Sequence, residues 1–231
     1  SATECSGCHA EIAAQWAQSA HRFSSFNNPY YAASVDLFRQ QRPLAATRFC
    51  GGCHDPLLLV DDAIAGPQLR RDISAAQAGL PCLVCHSVHE TRPGEHAGNL
   101  GNGAYSLHLD PVPEPREGGV PATEKSAHGQ RLRPAVMSRP ELCASCHRVA
   151  LTADITHDKW LRGQDDYGPW LASVAAGNGV GAVYRPEKVE VKRCQDCHMP
   201  LEPLKSGKLA RSHRFLGANA ALPNLRHDLD A

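Results

Sequence analysis

The 231-residue chain has no apolar run close to the roughly 20 residues that a helix needs to cross a bilayer. One of the longest, Pro56-Leu57-Leu58-Leu59-Val60, ends at Asp61, so no membrane span is expected in this chain. Net charge is also lacking, because 24 Lys and Arg balance 24 Asp and Glu. Without a basic excess there is no electrostatic case for binding nucleic acid or an anionic membrane surface. Aromatic residues make up 6% and there are two methionines, so side chains supply little flat apolar bulk. Strand-like alternation is poor throughout. No cysteine stands alone.

All ten cysteines fall into five copies of Cys-x-x-Cys-His. They are Cys5, Cys8 and His9; Cys50, Cys53 and His54; Cys82, Cys85 and His86; Cys143, Cys146 and His147; and Cys194, Cys197 and His198. Each reads as a c-type haem attachment site. Two thiols on one helical turn can both form thioethers to the haem vinyl groups, and the adjacent histidine becomes the proximal iron ligand. Structural zinc sites and thioredoxin-type redox pairs also use Cys-x-x-Cys. Neither accounts for a histidine after every pair, and five is an odd number for zinc sites that combine pairs two by two. The cofactor reading is five covalently attached haems c, which would provide the flat apolar interior that the side chains do not.

Each haem brings two propionates, so the holoprotein is expected to be acidic. Arginine outnumbers lysine 18 to 6. Guanidinium groups pair with carboxylates bidentately, and some are expected to clamp propionates, although a GC-rich genome would also favour arginine. Cytochrome c maturation is extracytoplasmic, so Ser1 reads as a processed or trimmed start. The expected location is the periplasm or cell exterior.

First cysteines are 45, 32, 61 and 51 residues apart, an irregular repetition with no solenoid period. Residues 9–22 read as helical, with Ile12 and Trp16 on one face. A break at Asn28-Pro29 leads into a helix over 30–42, with Val35 and Phe38 on one face and Pro43 beyond its end. Residues 74–79 form a short helical stretch, and 165–176, closed by Gly177, another. The Gly/Pro-rich segment 92–121 reads as a long irregular loop. The expected fold is mostly α and loop-rich, with helices and long loops wrapped around a packed haem array and little or no sheet. Residues 1–231 would form a single pentahaem domain, with possible halves at 1–91 (three haems) and 122–231 (two haems) joined by that loop.

Eight histidines remain as distal candidates: His21, His89, His96, His108, His128, His157, His213 and His227. Five low-spin haems need five. His21 lies on the helix begun by the first motif, which can aim it at a neighbouring iron. His128 and His213 sit in the serine-containing contexts Ser126-Ala127-His128 and Ser212-His213. These three and His157 are the distal ligands proposed from sequence. His89 lies close to His86, and His96 and His108 fall in the Gly/Pro segment. Met199 is badly placed to ligate opposite His198, and packing is assigned to it and to Met137.

Several segments resemble a group of bacterial multihaem c-type cytochromes. They are residues 5–31 (CSGCHAEIAAQWAQSAHRFSSFNNPYY), 48–59 (RFCGGCHDPLLL), 141–151 (ELCASCHRVAL), 160–170 (WLRGQDDYGPW), 194–201 (CQDCHMPL) and 212–223 (SHRFLGANAALP). That group is related to hydroxylamine oxidoreductase and to its tetrahaem cytochrome partner. The resemblance implies haems stacked in parallel and perpendicular pairs, with distal histidines in contexts like those of His21, His128 and His213. Two departures stand out. No motif ends in the Lys of the pentahaem nitrite reductases, and Asp165-Asp166 stands where the resemblance leads one to expect Asn-His. The acidic pair reads as a helix N-terminal feature, with a calcium site as the alternative.

Function follows from ligation. If two protein ligands close each iron, the chain is an electron carrier that passes electrons to and from redox partner proteins, other cytochromes or a quinol-linked donor. The enzyme alternative is oxidation or reduction of a small nitrogen or sulfur compound at one five-coordinate haem, with Tyr105, His108, Asp166 and Tyr167 as supporting groups. A third reading is a subunit of an extracellular haem wire or homo-oligomer, with His21 or His227 ligating a haem of the next copy.

Overall fold

In the computed structural model, residues 2–93, 100–117, 120–121, 123–179, 183–184 and 189–217 are described. His96 and His227 lie outside them. Two compact units result, one of residues 1–81 with 168–231 and the other of residues 82–167. The first, second and fifth Cys-x-x-Cys-His motifs belong to the former, and the third and fourth to the latter.

In the first unit the Asn28-Pro29 break becomes a helix start. The Asn28 side chain accepts the backbone N–H groups of Tyr30 and Tyr31 at 3.0 and 3.4 Å, satisfying donors that have no partner within the helix. Pro29 has no N–H to satisfy and suits the first helical position. The helix runs Pro29–Gln41 and stops short of Pro43. It buries Val35 in an apolar cluster with Phe26, Leu58, Ile64 and Ala76. Arg39 donates to Ile64 O at 2.8 Å and Gly66 O at 2.7 Å, so the rim of this cluster is tied by backbone carbonyls. Arg71 pairs with Asp36 and lies 5.0 Å from the centre of the Phe26 ring.

The expected helix over 9–22 forms in two pieces. An α-helix covers Ala10–Ala17, and a 3-10 turn Ala20–Phe23 follows Ser19. Ser19 is fully buried and its hydroxyl donates to Trp16 O at 2.8 Å, which bends the chain there. Residues 74–77 form another 3-10 turn. The segment expected to be helical over 165–176 splits into Tyr167–Leu171 and a 3-10 turn Val174–Ala176, closed by Gly177 at φ +82. Ser173 separates the pieces, with its hydroxyl on Trp170 O and its carbonyl accepting the N–H groups of Asn178 and Gly179.

Short strands occur where none were expected. In the second unit the helix Cys82–Ser87 runs directly into a strand, Val88–Pro93, paired antiparallel with Leu100–Leu107. The helix Pro140–His147 likewise leads into Arg148–Leu151, paired with Leu161–Asp165. Part of the Gly/Pro-rich segment is therefore a β-ribbon. Gly101, at φ +130, explains why local sequence hid it: an added Cβ would lie 1.9 Å from the Arg148 carbonyl oxygen. A residue chosen for close backbone approach reads locally as a strand breaker. Asn102 clamps the same place, its side chain exchanging hydrogen bonds with Ala150 N and O at 2.8 and 2.9 Å.

Candidate haem sites

Each Cys-x-x-Cys-His motif lies on a helical turn. Four occupy the helices Arg48–His54, Cys82–Ser87, Pro140–His147 and Cys194–His198. The first continues the turn begun by Ala2–Ser6, with His9 N–H donating to Cys5 O at 2.9 Å. Helical geometry brings residues three and four apart to one face, which is what two thioethers and an adjacent axial ligand require. Among the described residues, which include all ten cysteines, no disulfide forms.

The histidines carry a second, less local signature. His54 Nδ1 lies 2.6 Å from Ser24 O, His86 Nδ1 2.7 Å from Leu132 O and His198 Nδ1 2.6 Å from Leu216 O. His147 Nδ1 lies 3.1 Å from Asp166 Oδ2. A carbonyl or carboxylate can only accept, so Nδ1 carries the proton in each case and Nε2 presents its lone pair. That is the tautomer of a metal-bound imidazole, with the outer partner fixing ring orientation. The donor set thus fits covalent haems: paired thiols on a helical turn at all five motifs, and at four of them a proximal ring whose tautomer is set from outside the motif.

The surroundings differ from motif to motif. In the second, Gly51 and Gly52 are buried, and Gly51 packs against Ile64, where an added Cβ would lie 3.0 Å from Cδ1. The Tyr31 ring stacks on His54 with centroids 4.5 Å apart. Asp55 beside it is 1% exposed, and burial raises its carboxyl to about 7, partly offset by the Tyr31 hydroxyl. In the second unit, burial pushes the Cys85 thiol up to about 12, with neighbouring Cys146 adding to the effect. In the fifth, Asp196 is bound by Arg193 at 3.0 Å and Arg211 at 2.6 Å, which hold its carboxyl well below the usual range.

Of the distal candidates, the structure brings His21 and His213 to the same aromatic side chain. Phe215 lies edge-on to both, with ring centroids 4.4 Å from His21 and 5.7 Å from His213. His21 sits in the 3-10 turn after the first helix and not on that helix. His213 is tethered through its N–H to Gln15 Oε1 at 2.9 Å. His128 lies on the helix Ala127–Leu132, capped by Ser126, whose hydroxyl accepts Gly129 N–H. Its Nδ1 meets Pro113 O at 2.8 Å, the same arrangement that orients the proximal rings. His157 is exposed, at φ +60 where the helix Ala153–Thr156 ends.

Other residues singled out from sequence have local partners. His108 Nε2 lies 2.6 Å from Asp110, and its ring is 6.0 Å from that of exposed His89. The Tyr167 hydroxyl donates to Glu141 at 3.0 Å, and Tyr105 lies in the β-ribbon. Within the acidic pair, Asp165 pairs with Arg162 at 2.5 Å and Asp166 meets His147. Sequence reasoning missed Phe215 and the Nδ1 acceptors. Three of those four acceptors are backbone carbonyls, which every residue carries and no sequence pattern distinguishes.

The architecture is that of a loop-rich, mostly helical multihaem c-type cytochrome. Residues 4–87 match the family model of cytochrome c554 and c-prime. The chain is similar in structure to a penta-heme cytochrome c552 from Thermochromatium tepidum, with a TM-score of 0.57 and 21% identity. The match covers 94% of this chain and 57% of that one, so this chain spans less than two thirds of the length of that protein. No curated protein matches the sequence.

Proposed function

We propose that this chain is an electron-transfer protein that holds five c-type haems, most of them with two histidine ligands. The carrying observation is the outward tether on His54, His86, His147 and His198, whose Nδ1 atoms are bound beyond their own motifs. Haem supplies one-electron chemistry when bound, and its potential is tuned by ligands, burial and nearby charge. His9, His54, His86, His147 and His198 would each offer an imidazole to the haem of their own motif, and His21, His128, His213 and His157 would supply further iron ligands.

The sequence resemblance and the c554 match together support a place near the group related to hydroxylamine oxidoreductase, as a redox partner in the periplasm or at the cell exterior. The chain would work as a single pentahaem cytochrome, exchanging electrons with other cytochromes or a quinol-linked donor. Low-temperature EPR of the oxidised protein tests this reading. Low-spin ferric signals accounting for all five haems are expected, together with little turnover of nitrite or hydroxylamine by the reduced protein. A cyanide-sensitive high-spin signal with robust turnover would replace the carrier by an enzyme.

A further inference from the structure

Among the four proximal histidines tethered from outside their motifs, His147 faces a carboxylate where His54, His86 and His198 face carbonyls. Asp166 is held for this contact from two sides. Its backbone N–H donates to His147 O at 3.0 Å, and Gln164 Nε2 donates to its Oδ2 at 2.7 Å. Gln164 Nε2 also lies 3.2 Å from His147 Nδ1, because both donors converge on the same oxygen. The adjacent Asp165 is bound by Arg162 and Arg148 at 2.5 and 3.8 Å. The strand pairing of Arg148 with Asp165 fixes the register that delivers Asp166 to the ring.

We propose that Asp166 is a positioning residue that acts through His147 to lower the reduction potential of the haem attached at Cys143 and Cys146. The inference rests on the reading of this motif as a haem site. A carboxylate carries a full charge where a carbonyl carries a dipole, and its hydrogen bond is about twice as strong. Drawing the Nδ1 proton toward Asp166 makes Nε2 a stronger donor. A more basic axial ligand favours ferric over ferrous iron, one of the ways a protein sets haem potential. The Asp166 side chain is 63% exposed and that of His147 45%, so water screens part of the charge. The expected effect is roughly tenfold in the ferric–ferrous equilibrium, about 59 mV for one electron.

The test is a spectroelectrochemical titration of the holoprotein as wild type, D166N and D166E, with peptide mapping of the haem on Cys143 and Cys146. D166N keeps the shape and removes the charge, so one component should move upward by about tenfold in its equilibrium while the others hold. D166E restores a carboxylate and should bring that component back toward wild type. If D166N leaves every component in place, or if D166E shifts as much as D166N, the proposed role of Asp166 is wrong although the haem is present. A wild-type peptide 143–147 without haem overturns the attachment reading itself.

Discussion

The backbone N–H of Leu80 donates to the carbonyl of His21 at 2.8 Å, so the chain just before the third motif grips the turn that carries a proposed distal ligand. Trp16 Nε1 donates to Leu80 O at 2.8 Å and the Ser25 hydroxyl accepts Gly79 N–H at 2.6 Å. The grip depends on Gly79. It adopts φ +67, and an added Cβ would lie 2.4 Å from both His21 O and Arg22 O.

Gly79→Ala should therefore disturb His21 and leave the distant sites intact. The left-handed backbone alone costs about 1–2 kcal/mol for a residue with a Cβ, and the clash adds to it. A lowered thermal midpoint together with a high-spin signal from one haem is expected. An unchanged midpoint and EPR spectrum would mean that this contact does not position His21.

Mature protein should carry five haems by intact mass, with no free thiol and no disulfide. Helical placement of all five motifs gives each pair of thiols the geometry for two thioethers. Fewer than five haems after proper maturation contradicts the central assignment.

Replacing His21, His128 or His213 by Ala should each convert one low-spin haem to high-spin. The fold should survive, since thioethers and proximal ligands remain. His128 and His213 offer the sharpest cases because Pro113 O and Arg211 O already orient their rings. Three variants that all keep the wild-type low-spin spectrum would remove these residues from the ligand set.

Asp36→Asn should weaken the hold of Arg71 on the helix Pro29–Gln41 and cost at most about 1 kcal/mol near neutral pH, as expected of a partly exposed pair. The Arg71 hydrogen bond lowers the Asp36 carboxyl in the folded protein. Its contribution is therefore present above the unfolded value near 3.9 and lost as pH falls through the folded one. Thermal melts of the two proteins should differ at pH 7 and converge toward pH 2. A difference that persists undiminished in acid would point to shape and not charge.

The local features of this protein were legible without coordinates. Five Cys-x-x-Cys-His motifs declare themselves because their chemistry depends on spacing along one helical turn. The helix Pro29–Gln41 does too, since Asn28, Pro29 and Pro43 act on neighbouring backbone. The ribbons were hidden because Gly101 and Asn102 serve contacts to Arg148 and Ala150, far along the chain.

What tertiary structure alone decided is the surroundings of each ring. His54 finds its acceptor 30 residues away, His86 46 away, and His147 and His198 19 and 18 away. His21 and His213 reach the same Phe215 from opposite ends of the sequence. The sequence by itself determined which atoms can bond to haem, because thioether and axial-ligand chemistry are local. Folding determined which way the imidazoles point and which of them faces a charge, because hydrogen-bond acceptors act through space and most are backbone carbonyls with no identity of their own.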